Sequence, residues 1–202
     1  MPEVVEKWLK NMPELPGKKA CLFTTFANKL HVGWALSGAI KILKRKKIEV
    51  NTATTILMPS SFTVYTDPMP LENAKRLVSV AERSLSRLAA DITAGKHSAR
   101  GFYTPWFLKP PYFIMHLGFR YFMIPRGWKR WKVSDACTSC GACSKACPVK
   151  AITMENGRPA WRKGCQQCEA CFNVCPVKAI TQLEWLGKGS KRGRYIFNKN
   201  RE

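Results

Sequence analysis

The chain lacks the long apolar run that a membrane-spanning helix needs; no stretch approaches about 18 uncharged apolar residues. Its opening residues, MPEVVEKWLK, carry acids and no apolar centre, so they do not read as a secretory signal. Both absences predict a cytoplasmic protein. An extracellular disulfide framework is disfavoured for the same reason. Histidine is scarce: His31, His97 and His116 are scattered and make no ligand spacing. Acids are few as well. Against 34 Lys+Arg stand only 13 Asp+Glu, leaving a formal charge of +21. That imbalance points to an acidic partner, a nucleic acid or an anionic membrane surface. No basic recognition helix or base-stacking motif accompanies it, so nucleic acid is not expected, and a nucleic-acid-binding protein with structural clusters is the weakest reading.

Cysteine, by contrast, is abundant and crowded. There are nine, and eight lie between Cys137 and Cys175. They form two copies of one pattern, CTSCGACSKACPVKAI and CQQCEACFNVCPVKAI, offset by 28 residues. Each copy is C-x2-C-x2-C-x3-C-P, the bacterial run for 4Fe–4S clusters, in which the fourth cysteine serves the other cluster. Three closely spaced thiolates suit a loop wrapped round a cuboidal cluster, and the fourth reaches across. The spacing therefore assigns Cys137, Cys140, Cys143 and Cys175 to cluster I. It assigns Cys165, Cys168, Cys171 and Cys147 to cluster II. Pro148 and Pro176 turn the chain away after each copy. Gly141 permits tight backbone, where the second copy has Glu169. Zinc bound by four thiolates is the alternative, but zinc uses well-separated C-x2-C knuckles. Between the copies, AIT and RPAW flank the turn signal ENG and predict a hairpin; AITQLEW after the second copy predicts an equivalent strand.

This region, residues 132–186, resembles the bacterial two-cluster ferredoxins. All eight ligands and both prolines are in place. It departs from them in charge: Lys132, Lys145, Lys150, Arg158, Arg162, Lys163 and Lys178 surround the cysteines, which should favour the reduced clusters.

Upstream the pattern is α/β. Lys18–Phe26 reads as a buried strand, Gly33–Lys47 as a helix with a basic end and Ile48–Pro59 as a second strand. Pro70–Gly95 reads as a long helix with Leu71, Ala74, Val78, Ala81, Leu85, Leu88 and Ile92 facing a core. Cys21 is expected as an inert apolar filler of the first strand. Strand, helix, strand and helix imply a parallel sheet. The order of these pieces, the GWA helix and the turn MPSSF (Met58–Phe62) resemble the bacterial flavodoxin–ferredoxin fusion family. The resemblance implies the C-terminal part of a flavodoxin-like α/β domain (1–97) followed by an α+β ferredoxin domain. It also implies that the phosphate-binding loop and earlier strands are missing, as in a gene fragment, a wrong start or a split protein. FMN is therefore not expected on this chain, although Thr24–Ala35 would lie near the flavin ring. A complementary N-terminal fragment would complete an FMN-dependent oxidoreductase.

The joining segment, 98–131, is dense in aromatics and interrupted by Pro105, Pro110, Pro111 and Pro125. Its helix is apolar nearly all round, with Tyr112, Met115, Phe119 and Phe122 on one face and Ile114, Leu117, Tyr121 and Ile124 on the next. It is expected to be buried as an inter-domain clamp; a membrane-surface anchor through 101–131, flanked by Lys109, Arg120, Arg126, Lys129 and Arg130, is the alternative. The basic tail, 187–202, is punctuated by glycine. The reading is an electron carrier with two 4Fe–4S clusters, more a carrier than an enzyme, meeting an acidic redox protein or a flavoprotein.

Overall fold

The computed structural model describes residues 1–27, 34–63, 67–100, 107, 109–182 and 193–195. The chain forms two compact units, one of Met1–Pro59 with Pro70–Pro110, the other of Ser60–Met69 with Pro111–Glu202.

The first unit is built on a three-stranded parallel sheet in the order β1 (Lys19–Phe26), β2 (Glu49–Leu57) and β3 (Ser98–Arg100). Helix α1 (Glu3–Asn11) precedes it, and α2 (Ala35–Arg45) and α3 (Leu71–Thr93) connect the strands. Its core gathers Leu9, Ala39, Leu43 and Ile48, with Ala20, Leu22 and Val50 of the sheet packed against them. α2 ends in Lys44 and Arg45, cations that suit the carbonyl end of a helix.

Burial in this unit differs from the sequence expectation in two places. β1 is not buried on both faces. It alternates, leaving Cys21 exposed and Phe23 56% exposed. The cause is coverage: α2 packs on β1 and β2, whereas α3 packs on β2. Cys21 is therefore not a core filler. In α3, Ala74, Ala81 and Leu88 are buried, but Leu71, Leu85 and Ile92 are 40–48% exposed. A helix of 23 residues is about 34 Å long at 1.5 Å per residue, more than strands of eight or nine residues can cover.

The second unit has shorter pieces. Helix α4 (Lys109–Gly118) leads into it, with Pro110 and Pro111 in the first turn, where missing N–H groups cost nothing. It runs on through a π-helical turn (Phe119–Met123), α5 (Ile124–Gly127) and a 3-10 turn (Trp128–Arg130). The segment is not buried as expected: Ile114, Met115, Tyr121 and Phe122 are 70, 58, 59 and 65% exposed. Leu117, Phe119, Met123 and Ile124 are half-buried, so only one side of the helix is covered.

β4 (Trp131–Val133) pairs antiparallel with β7 (Ile180–Gln182). β5 (Ile152–Glu155) and β6 (Arg158–Trp161) form the hairpin read from the sequence. Its turn residues Asn156 and Gly157 have φ of 48° and 76°, the left-handed pair a tight hairpin turn requires. Helices α6 (Ala142–Lys145) and α7 (Ala170–Val174) are single turns.

The MPSSF turn and the residues after it divide between the units. Thr63 is 1% exposed, and its N–H donates to Glu169 Oε2 at 2.6 Å. Asn173 Nδ2 donates to the Ser61 carbonyl at 2.9 Å. Part of the tail joins the same place, since the Tyr195 N–H donates to Asn173 Oδ1 at 2.9 Å. Half of the flavin-side loop (residues 28–33) and the remainder of the tail lie outside the described residues. No helix among the described residues is long and apolar enough to cross a membrane.

Candidate metal centre

The two cysteine copies repeat in backbone as well as in sequence. Ser139 and Gln167 are both left-handed, with φ of 56° and 53°; so are Gly141 and Glu169 at 70° and 60°, and Lys150 and Lys178 at 51° and 52°. Each pair is offset by the same 28 residues as the cysteines. Gly141 and Glu169 stand immediately before α6 and α7, which carry Cys143 and Cys171. The left-handed step thus aims the middle of each run back toward its own loop. At the end of each copy the same hydrogen bond recurs: Ala151 N–H donates to Cys147 Sγ and Ala179 N–H to Cys175 Sγ, both at 3.2 Å. Backbone N–H groups directed at sulfur stabilise a thiolate and so suit a metal ligand.

Two cavities result. Cys137, Cys140, Cys143 and Cys175 line one, with Met154, Pro176 and Ile180. Cys147, Cys165, Cys168 and Cys171 line the other, with Trp131, Trp161 and Glu169. The free spaces are alike, about 310 and 290 Å³ counting their solvent-open mouths. Each cavity takes three cysteines from one copy and the fourth from the other. Exposure is matched too: each quartet has two buried cysteines, one intermediate and one exposed. Among the described residues no three His, Cys, Asp or Glu side chains converge as the ligands of a single ion would. The quartets surround a space instead, which suits a polynuclear group better than one tetrahedral ion.

The electrostatics favour the thiolate at Cys140 and oppose it at Cys143 and Cys171. Cys140 is held below the usual thiol range, chiefly by the Ala142 N–H. Burial pushes Cys143 up, and pushes Cys171 up to about 12. A cationic iron centre would supply the charge that keeps such buried sulfurs ionised.

The seven basic residues noted in the sequence do not act alike. Arg158 bonds the Asp135 carboxylate at 2.8 Å and the Ser134 carbonyl at 3.0 Å, and Arg162 pairs with Glu155. Lys145 bears on Cys140. Arg194, which sequence reasoning passed over, lies 3.5 Å from the Phe172 ring centroid; burial pushes its guanidinium down from the ordinary range, and Cys175 and Glu169 oppose that. It donates to the carbonyls of Lys178 and Ile180 at 3.1 and 2.9 Å. The signal for Glu169 was present, since a non-glycine residue stood where the other copy has glycine. Nothing local marked Arg194.

Residues 136–180 match the 4Fe-4S dicluster domain. The match covers both cysteine copies and the hairpin between them. It supports an iron–sulfur electron-transfer role for the dicluster region. No curated protein and no solved structure matches the chain.

Proposed function

We propose that the chain carries electrons through two 4Fe–4S clusters, one held by Cys137, Cys140, Cys143 and Cys175, the other by Cys165, Cys168, Cys171 and Cys147. The observation that carries this reading is the crossover: each cavity draws its fourth cysteine from the other copy. Such clusters supply one-electron transfer at potentials set by their surroundings. The protein's own part is to hold the thiolates, direct Ala151 and Ala179 N–H groups at two of them, and keep the rim cysteines near solvent. Anaerobically prepared protein should contain about eight iron and eight sulfide per chain. Cys147→Ala should damage the cluster held by Cys165, Cys168 and Cys171, although Cys147 belongs to the first copy. Loss of the other cluster instead would overturn the assignment.

The parallel sheet of the first unit supports a docking scaffold of flavodoxin-like descent. The outer edge of β1 pairs with no strand among the described residues, and its exposed face would accept a complementary piece. Flavin absorbance after desalting, read beside iron content, separates carrier from FMN oxidoreductase; stoichiometric FMN on this chain would decide for the latter. The charge of +21 supports an acidic redox protein or flavoprotein as partner. Electron-transfer rates should then fall steeply with salt, and a flat response would remove that partner.

A second reading concerns α4 and the turns after it. Their exposed Ile114, Met115, Tyr121 and Phe122 lie among Lys109, Arg120, Arg126, Lys129 and Arg130, with no acid between residues 109 and 130. This supports an anchor on an anionic membrane surface. Co-sedimentation with phosphatidylglycerol vesicles, lost in Ile114→Asp with Phe122→Asp, is expected; equal binding by that variant would sink it.

A further inference from the structure

The two cavities match in cysteine number and exposure, so their differences stand out. Shifted by the 28-residue repeat, Trp131 corresponds to Pro159 and Trp161 to Val133. Pro159 lines the first cavity where Trp131 lines the second, and Trp161 joins Trp131 there. The first cavity's lining side chains offer one hydroxyl donor, Thr138, besides the thiols. The second has two indoles, 6 and 7% exposed and stacked with ring centroids 5.9 Å apart and planes 18° from parallel. Both indole N–H groups are buried, and neither completes a well-formed hydrogen bond to the protein among the described residues, the Trp161 N–H lying near the Cys171 sulfur. A buried donor left without an acceptor is destabilising. A buried donor lining a ligand cavity is explained if the ligand is its acceptor.

We propose that the Trp161 indole, held by its stack on Trp131, directs its N–H at the sulfur of the group bound by Cys147, Cys165, Cys168 and Cys171, and that Trp131 contributes a second such donor. The first cavity has no counterpart. Donation to sulfur stabilises the reduced, more anionic state and so raises the potential of that site alone. Trp161 is a positioning and tuning residue: it sets how readily one of two similar sites accepts an electron. Glu169 lines the same cavity and acts in the opposite sense, so the proposal fixes the contribution of the indoles and not the order of the two potentials.

The inference rests on iron–sulfur clusters in both cavities, and iron and sulfide are measured on the same samples. Fewer than about eight iron in the unaltered protein would fail that underlying reading, and the inference with it. With full iron, redox titration followed by electron paramagnetic resonance should resolve two centres. Trp161→Phe should move one potential downward and leave the other in place. Transfer into heavy water should shift the iron–sulfur stretching bands of the unaltered protein, and that isotope sensitivity should shrink in the variant. Where Trp161→Phe loses iron, replacing its indole by benzothiophene keeps the ring and removes only the N–H, and the same shift is expected. Unchanged potentials, or equal movement of both, would overturn the proposal.

Discussion

The first unit fills its interior with side chains, whereas the second leaves spaces in its own. Leu9, Ala39, Leu43 and Ile48 meet directly beneath strands of eight and nine residues. Among the described residues of the second unit no strand exceeds four residues, and four of the eleven buried core residues are cysteines around the two cavities. A region of such short elements, with cysteines among its buried residues, draws less on apolar burial alone. Its packing is organised round what the cysteines hold. On the proposed function, stability would rest on contact between side chains in one unit and on ligation in the other.

The largest expected effect follows from that. Stripping iron with a chelator under reducing conditions should unfold the second unit and spare the first. Limited proteolysis should then cut within 111–182 and leave the sheet region protected. Equal resistance of both units would break the comparison.

Phe172 sharpens it. The ring is 1% exposed, lies 6.4 Å from Trp131 and sits beneath Arg194. Phe172→Ala should cost about 3–5 kcal/mol and hasten iron release, and Leu43→Ala about 2–5 kcal/mol with iron release unchanged. Urea unfolding followed by cluster absorbance and by far-ultraviolet dichroism distinguishes the two.

Glu169 tests the departure from repeat symmetry. Glycine there would relieve roughly 1–2 kcal/mol of left-handed strain but forfeit the buried charged bond to Thr63, about 1.5–3 kcal/mol. Glu169→Gly should thus be mildly destabilising, and proteolysis should reach Ser60–Met69 sooner. Higher stability would show that the bond contributes less than the strain. The smallest effect belongs to the surface. Lys47 and Glu14 pair at 2.6 Å with both side chains more than half exposed. Lys47→Met should leave the unfolding midpoint unmoved, because solvent screens such pairs.

The sequence by itself determined what depends on local spacing. Three thiolates within a short loop, a proline after the fourth, and an Asn-Gly turn between apolar strands act over a few residues, so the repeat, the hairpin and the dicluster pattern were all legible. β1, α2, β2 and α3 of the first unit were legible for the same reason, to within a few residues, whereas the short β3 was not. Tertiary structure alone decided coverage. The exposure of Cys21, Leu71 and Ile114 depends on how much neighbouring surface is there to meet them, which an apolar pattern does not record. The Thr63–Glu169 and Asn173–Ser61 bonds join residues more than a hundred apart, and nothing near either partner announces the other. The pair of indoles beside one cysteine quartet is of this kind as well: Trp131 and Trp161 stack only because two separate antiparallel strand pairs bring β4 and β6 to the same cavity.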